Sequence, residues 1–176
     1  MDKMILIDLE TQSFSVSSGI YEVACMVIEN YQVVDDLYLG KKIDGYRGET
    51  KYGFGFYNIC EDSECVEIFK SFINKYKYPL VAHNCPFDRK FLLYYQWIEE
   101  DYPAYCSMRA IKKAVTTLRS YSLHNLVNHY AIADEVEHTA MSDTLQLYGL
   151  LSIIKPNTWV PVGSKPINKR WTNRTG

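Results

Sequence analysis

Three short stretches place carboxylates where metal-assisted chemistry could use them. "DLET", residues 8–11, sets Asp8 and Glu10 two apart, directly after the apolar residues 4–7. Side chains alternate along a strand, so both carboxylates point to one face and Leu9 to the other. Like charges at the end of a buried run repel, and a cation relieves them. In "VAHNCPFD", residues 81–88, an apolar run stops at His83 and Asn84, and Asp88 follows on the next helix. Asn84 and Asp88 are four apart and share a helix face. In "HTAMSD", residues 138–143, His138 and Asp143 would stand about 140° apart on one helix. They can share a site only if His138 lies on the loop entering the helix and Asp143 on its first turns. A mobile imidazole beside a fixed carboxylate suits a proton acceptor next to a metal ligand.

Each stretch also has an ordinary structural use. Asp8 and Glu10 could end a solvated strand. Asn84 and Asp88 could serve the helix start and its dipole. Together they are harder to dismiss, because every one falls at a predicted element boundary. Oxygen donors without thiolates select Mg²⁺ or Mn²⁺ over zinc.

The elements that position these residues can be read from periodicity. Residues 3–10, 20–28 and 32–39 read as strands, with "ENYQ" as a hairpin turn between the last two. Residues 40–57 are loop-like, broken by glycines. A helix capped by Asp62 or Ser63 carries Val66, Phe69, Ile73 and Tyr76 on one face. A short strand over 80–82 precedes a helix over 86–99, with Pro86 in its first turn. A last strand covers 104–107, followed by the short basic helix "MRAIKKAV". Ser122 caps the next helix, and a final helix spans 140–154. This order predicts an α/β fold with a mixed sheet covered by helices on both faces. Its acidic residues line the edge where open sheets build their sites.

Composition narrows the class. The chain has 176 residues, 47% hydrophobic and 23% charged, as in a globular domain. No apolar run approaches the roughly 20 residues of a membrane span, and the first residues are too short an apolar stretch for a signal peptide. Five scattered cysteines without a CxxC pair fit a reducing compartment, so a cytoplasmic location is expected. A formal net charge of −2 argues against tight nonspecific duplex binding but not against an enzyme gripping a few nucleotides.

As a set, the motifs resemble the DnaQ-like, or DEDDh, 3′–5′ exonucleases over roughly residues 3–154. "DLET" looks like the first exonuclease motif, "VAHNCPFD" like the second and "HTAMSD" like the third. The tyrosine-containing sister class would place Tyr where this chain has Thr139. "SLHNLVNHYAI" is similar to the family's helix before the third motif. Gln12 and Ser13 depart from the Thr-Gly often found there in proofreading members.

The resemblance implies a ribonuclease H-like fold around a central mixed five-stranded sheet, with residues 1–154 as the exonuclease domain and 155–176 as a basic extension. It implies two Mg²⁺ or Mn²⁺ ions, with Asp8 bridging both. Glu10 and Asp143 would complete the ion that holds the attacking water, Asp88 would serve the other, and His138 would be the general base. The Leu9 and Thr11 amides are candidates for holding a terminal 3′-hydroxyl, and His83, Asn84 and Phe87 for lining the terminal nucleotide. The expected substrate is the 3′ end of DNA, single-stranded in preference, with RNA ends as the alternative. A DNA polymerase or another replication or repair protein, and a second copy in a homodimer, are the protein partners in view. Lys41, Lys42, Arg47 and Lys51, interleaved with Tyr46, Tyr52, Phe54 and Phe56, suit single-strand binding. Alternatively, that segment is a surface hairpin whose aromatics cover the sheet.

Overall fold

The computed structural model describes residues 1–47, 55–133 and 138–163. Strands β1 (Lys3–Glu10), β2 (Glu22–Glu29) and β3 (Gln32–Gly40) pair antiparallel. The β2–β3 turn uses Asn30 and Tyr31 at φ 51° and 61°. Two successive left-handed residues match the twist of a tight hairpin. β1 then pairs parallel with β4 (Leu80–Ala82), and β4 with β5 (Ala104–Cys106). The resulting five-stranded sheet has the order β3-β2-β1-β4-β5, which makes β1 the central strand.

Residues 4–7 of β1 are apolar without a break because both faces of the strand are covered there. Ile5, Ile7 and Leu9 pack with α1 (Ser63–Tyr76) and α2 (Cys85–Tyr94). Met4 and Leu6 pack with α3 (Ser107–Ala114), α4 (Leu123–His129) and α5 (Ala140–Ile154). The mixed sheet with helices on both faces is the expected architecture. No helix of the described residues is long and apolar enough to cross a membrane.

Asp62 caps α1 by accepting from the Cys65 amide at 3.0 Å, and Ser122 caps α4 through the Asn125 amide at 3.3 Å. α2 is shorter than the predicted 86–99. It ends at Tyr94, and Gln96 turns left-handed at φ 59°. The turn drives Trp97 into the α1 layer, where it is fully buried against Phe69 at 5.2 Å between ring centres. Its indole N–H donates to the Cys60 carbonyl at 2.8 Å. Burying that ring outweighs the gain from one further helical turn, which periodicity alone does not reveal.

Beyond α5 the chain returns to the sheet. The Val162 amide donates to the Ala104 carbonyl at 2.8 Å, Pro161 bridges to Tyr105, and Trp159 packs edge-on against Tyr105. The extension thus lies along the β5 edge as far as Gly163. Residues 164–176, with Trp171, lie outside the described residues.

Trp97 sets where α2 stops and so helps hold that helix against β1. Trp97→Ala should cost about 3–5 kcal/mol. Trp97→Phe should cost less, about 1–3 kcal/mol, because it leaves the Cys60 carbonyl unmet. Urea unfolding of the three proteins would check both the size and the ranking.

Candidate metal and active site

Asp8 and Glu10 emerge at the end of β1 on the α5 side of the sheet, as alternation requires. Asp143 comes from the first turn of α5. That helix starts sharply because Thr139 and Ser142 form a reciprocal capping box, the Ser142 amide donating to Thr139 Oγ1 at 3.2 Å. One carboxylate oxygen from each of Asp8, Glu10 and Asp143 lies within 4.8 Å of the others. His138 stands exposed on the loop just before the cap, and both it and Asp143 face the same cavity. The arrangement of a loop imidazole beside a first-turn carboxylate is therefore realised.

Asp88 reaches the site from the opposite layer. It sits in the first turn of α2, is only 3% exposed, and accepts the Leu9 amide at 3.3 Å. This bond ties α2 to β1. It also commits the Leu9 N–H, which had been a candidate for holding a 3′-hydroxyl.

The electrostatics are those of a partly buried acid cluster. Burial, then Asp88, Asp143, Glu10 and Glu22, push the Asp8 carboxyl well above its ordinary range. Burial pushes Asp88 up to about 8, against the backbone amides that favour its charged form. Burial raises Asp143 to about 6, while His138 and Ser142 pull it down. Asp143 Oδ1 is buried with no hydrogen-bond partner. Crowded carboxylates and an orphaned oxygen are what a hard divalent cation satisfies, and the donors are all oxygen. The residues present fit Mg²⁺ or Mn²⁺.

The cavity in front of this cluster has a volume of about 670 Å³. Leu9, Thr11 and Phe87 line it, with Thr11 Oγ1 donating to the Ser13 carbonyl at 3.0 Å. His83 and Asn84 are not among its lining residues. His83 is turned away into a structural role: its Nε2 meets the Tyr121 carbonyl at 2.7 Å and its Nδ1 meets Ser107 Oγ at 3.0 Å. Asn84 is exposed at φ 65°, at the start of α2, and makes no side-chain cap.

Gln12 and Ser13, which depart from the Thr-Gly of proofreading members, also line the cavity, as does Phe14, which the sequence reading does not single out. Phe14 is 84% exposed and meets Phe87 edge-on at 5.8 Å, and its carbonyl accepts from Lys90. An aromatic stranded in the polar loop "TQSFSVSSG" was the available signal. Glu22 was also missed. It lies opposite Glu10 on β2, is 5% exposed, and accepts from Tyr38 Oη at 2.7 Å. Its signal was an acid opening an otherwise apolar strand.

Of the basic and aromatic segment after β3, residues 41–43 pair with 55–57 through Ile43 N–H to Gly55 O and Tyr57 N–H to Lys41 O. Phe56 is buried under Lys42, whereas Tyr46 and Tyr57 are exposed. Lys51, Tyr52 and Phe54 lie outside the described residues.

The sign of the pH dependence follows from the raised carboxyls. A folded-state value above the unfolded value means that the folded form holds the proton longer. Stability is then greatest near the usual carboxylate value of 3.8 and is lost as pH rises towards about 6 for Asp143 and about 8 for Asp88. The metal-free protein should melt progressively lower between about pH 5 and pH 8. Added Mg²⁺ or Mn²⁺ should restore the loss. Asp88→Asn keeps an acceptor for Leu9 and should raise the metal-free melting temperature at pH 8 by several degrees. Thermal scans across pH, with and without metal, check all three expectations.

Residues 59–151 match the family described as RNase_T: Exonuclease. No curated protein matches the sequence. Among solved structures, the fold is similar to E. coli exonuclease I bound to single-stranded DNA in a zinc-ion form, with a TM-score of 0.66 and 15% identity over 90% of this chain and 41% of that one. This chain thus spans less than half of exonuclease I. It is also similar to exonuclease X in complex with 5′-overhanging duplex DNA, with a TM-score of 0.55 and 19% identity over 86% of this chain and 90% of that one. The Mg²⁺- and Mn²⁺-bound S. pombe Pop2p gives a TM-score of 0.60 at 10% identity over 89% and 84%. These likenesses share the ribonuclease H-like fold, and the sequence match spans more than half of the chain: it belongs to the RNase_T exonuclease family.

Proposed function

We propose that this chain is a metal-dependent 3′–5′ exonuclease that trims single-stranded DNA from its 3′ end and releases nucleoside 5′-monophosphates. The observation that carries this reading is the convergence of Asp8, Glu10 and Asp143 at the floor of a cavity whose wall includes His138. Asp8, Glu10 and Asp143 would hold the divalent ions, with Asp88 serving from the α2 side. When bound, two such ions supply Lewis-acid stabilisation to the oxygens that attack and leave phosphorus.

The chain's own groups do the rest. His138 is exposed and free of the helix, so its imidazole can take the proton of the attacking water. Asp143 lies close enough to His138 for its carboxylate to be favoured by imidazolium charge. Phe14 and Phe87 offer ring surfaces at the cavity for a terminal base, and stacking tolerates any base. The cavity's carboxylates disfavour a polyanion until cations are bound, so metal and nucleic acid should bind together. Five free, buried cysteines suit the reducing cytoplasm, where we place the enzyme.

The test is degradation of matched DNA and RNA oligonucleotides carrying a label at either end, in Mg²⁺, Mn²⁺ and EDTA. A 5′ label should yield a descending ladder, with no cleavage in EDTA. Asp8→Ala should lower the rate by about 10³-fold, the worth of several kcal/mol of lost charge stabilisation. His138→Ala should lower kcat by about 10²–10⁴-fold. Full activity in Asp8→Ala would rule the reading out, and faster loss of RNA than DNA would make the enzyme an exoribonuclease.

A further inference from the structure

The catalytic cavity explains how one nucleotide would be cut, but not how the strand behind it is held. The charge distribution outside the cavity is uneven. The chain carries a net charge of −2, yet residues 102–133 contain no Asp or Glu and include Arg109, Lys112, Lys113 and Arg119. All four are exposed. Arg109, Lys112 and Lys113 stand at i, i+3 and i+4 on α3, so they share one face, opposite the buried Ser107, Ala110 and Ile111. No ion pair neutralises any of the four among the described residues. Lys112 and Lys113 in the last turn complement the helix dipole. That accounts for neither Arg109 in the first turn nor Arg119 on the following loop.

This face is fixed to the catalytic edge of the sheet. Leu6 pairs with Val81 in the parallel β1–β4 register, and both belong to the α5-side core. Two residues further along the chain from each stand Asp8, near the end of β1, and His83, just past the end of β4. His83 joins Ser107, the first residue of α3, to the Tyr121 carbonyl at the end of the loop that carries Arg119. Lys112 lies over the Tyr121 ring at 5.7 Å. The cationic face is thus braced through His83 beside the strand that bears the catalytic acids. Arg109 to Lys113 covers about 6 Å of helix axis at 1.5 Å per residue, roughly two phosphates at 3.4 Å per nucleotide.

Building on the proposed nuclease activity, we infer that the exposed face of α3 with the 115–121 loop binds the phosphate backbone of the nucleic-acid strand upstream of the nucleotide being removed. Its contacts are to phosphates and carry no sequence preference. His83 acts as a positioning residue that holds this face in register with the site.

The experiment compares the full chain with Arg109→Gln/Lys112→Gln/Lys113→Gln. Binding of a fluorescent 15-nucleotide DNA strand is followed by anisotropy in EDTA over a range of KCl. Hydrolysis of the p-nitrophenyl ester of thymidine 5′-monophosphate, which has no upstream strand, is followed in Mg²⁺. The variant should bind the strand about tenfold more weakly at low salt. Its log–log salt slope should be shallower by about 1.4, for two lost phosphate contacts at about 0.7 each. Its kcat/KM on the ester should stay within about twofold of the parent, since lost phosphate contacts lower strand affinity and not the chemistry. An unchanged salt slope would overturn the inference, as would ester hydrolysis that falls in step with binding. Arg119→Gln, on the loop outside any helix, gives a second variant and should lower the slope by about 0.7 alone. A parent that binds with the steep slope but hydrolyses no ester would leave the track standing and remove the nuclease reading. Ester hydrolysis with matching slopes in parent and variants would do the reverse.

Discussion

Mutual repulsion among carboxylates partly withdrawn from water is the constraint on which this molecule is organised. Asp8, Glu10 and Asp143 bring oxygens within 4.8 Å of one another, and Asp88 and Glu22 add to the charge that Asp8 feels. Left to itself, such a group would open the fold or stay protonated. The chain counters it with rigidity. Asp8 and Glu10 sit at the end of the central strand, whose apolar residues are clamped between two helical layers. Asp88 and Asp143 each occupy the first turn of a helix, where exposed amides and the helix dipole favour a negative charge. The fold therefore resists the repulsion without cancelling it, and what remains is the driving force for capturing cations.

The two layers contribute differently. Asp143 arrives on α5 and His138 on the loop that enters it, on the side of the sheet that Asp8 and Glu10 face. Asp88 arrives on α2 from the side that Leu9 faces, and reaches the strand through the Leu9 amide. The site thus straddles β1, and its geometry depends on both cores at once. Trp97 belongs to this arrangement even though it touches no acid. It ends α2 and packs on α1, which fixes the helix that carries Asp88.

Much of this was legible in the sequence, for physical reasons. The period-two rule put Asp8 and Glu10 on one face. The 140° step between His138 and Asp143 forced the histidine onto a loop, where it is found. The strands, the Asp62 and Ser122 caps and the start of α5 were marked by short-range chemistry that survives in any tertiary context. What escaped depends on long-range packing. The end of α2 is set by a tryptophan cavity formed by residues distant in sequence. His83 looked like a site residue because it precedes Asn84 and Asp88, but its two nitrogens are taken by Ser107 and Tyr121, both remote in the chain. Phe14 and Glu22 acquire meaning only when β1, β2 and α2 are brought together.

On the proposed function, a cavity walled by acids must still attract a polyanion, and neutralisation by bound cations would be local. At an ionic strength near 0.15 M, fields decay within about 8 Å, so cations beyond that range cannot help the scissile phosphate, nor can the acids repel the strand far behind it. This separation lets one small domain keep opposite charges in neighbouring places. Acids gather at the end of β1, where cations are wanted. Bases gather on α3, one strand and one helix away, where the phosphates of a longer strand would lie. Glu22 fits the same logic: buried opposite Glu10 and held by Tyr38, it deepens the negative well without adding a group to the cavity wall. The well would raise affinity for cations, and on the proposed track the basic face would add attraction for the strand beyond the reach of that well.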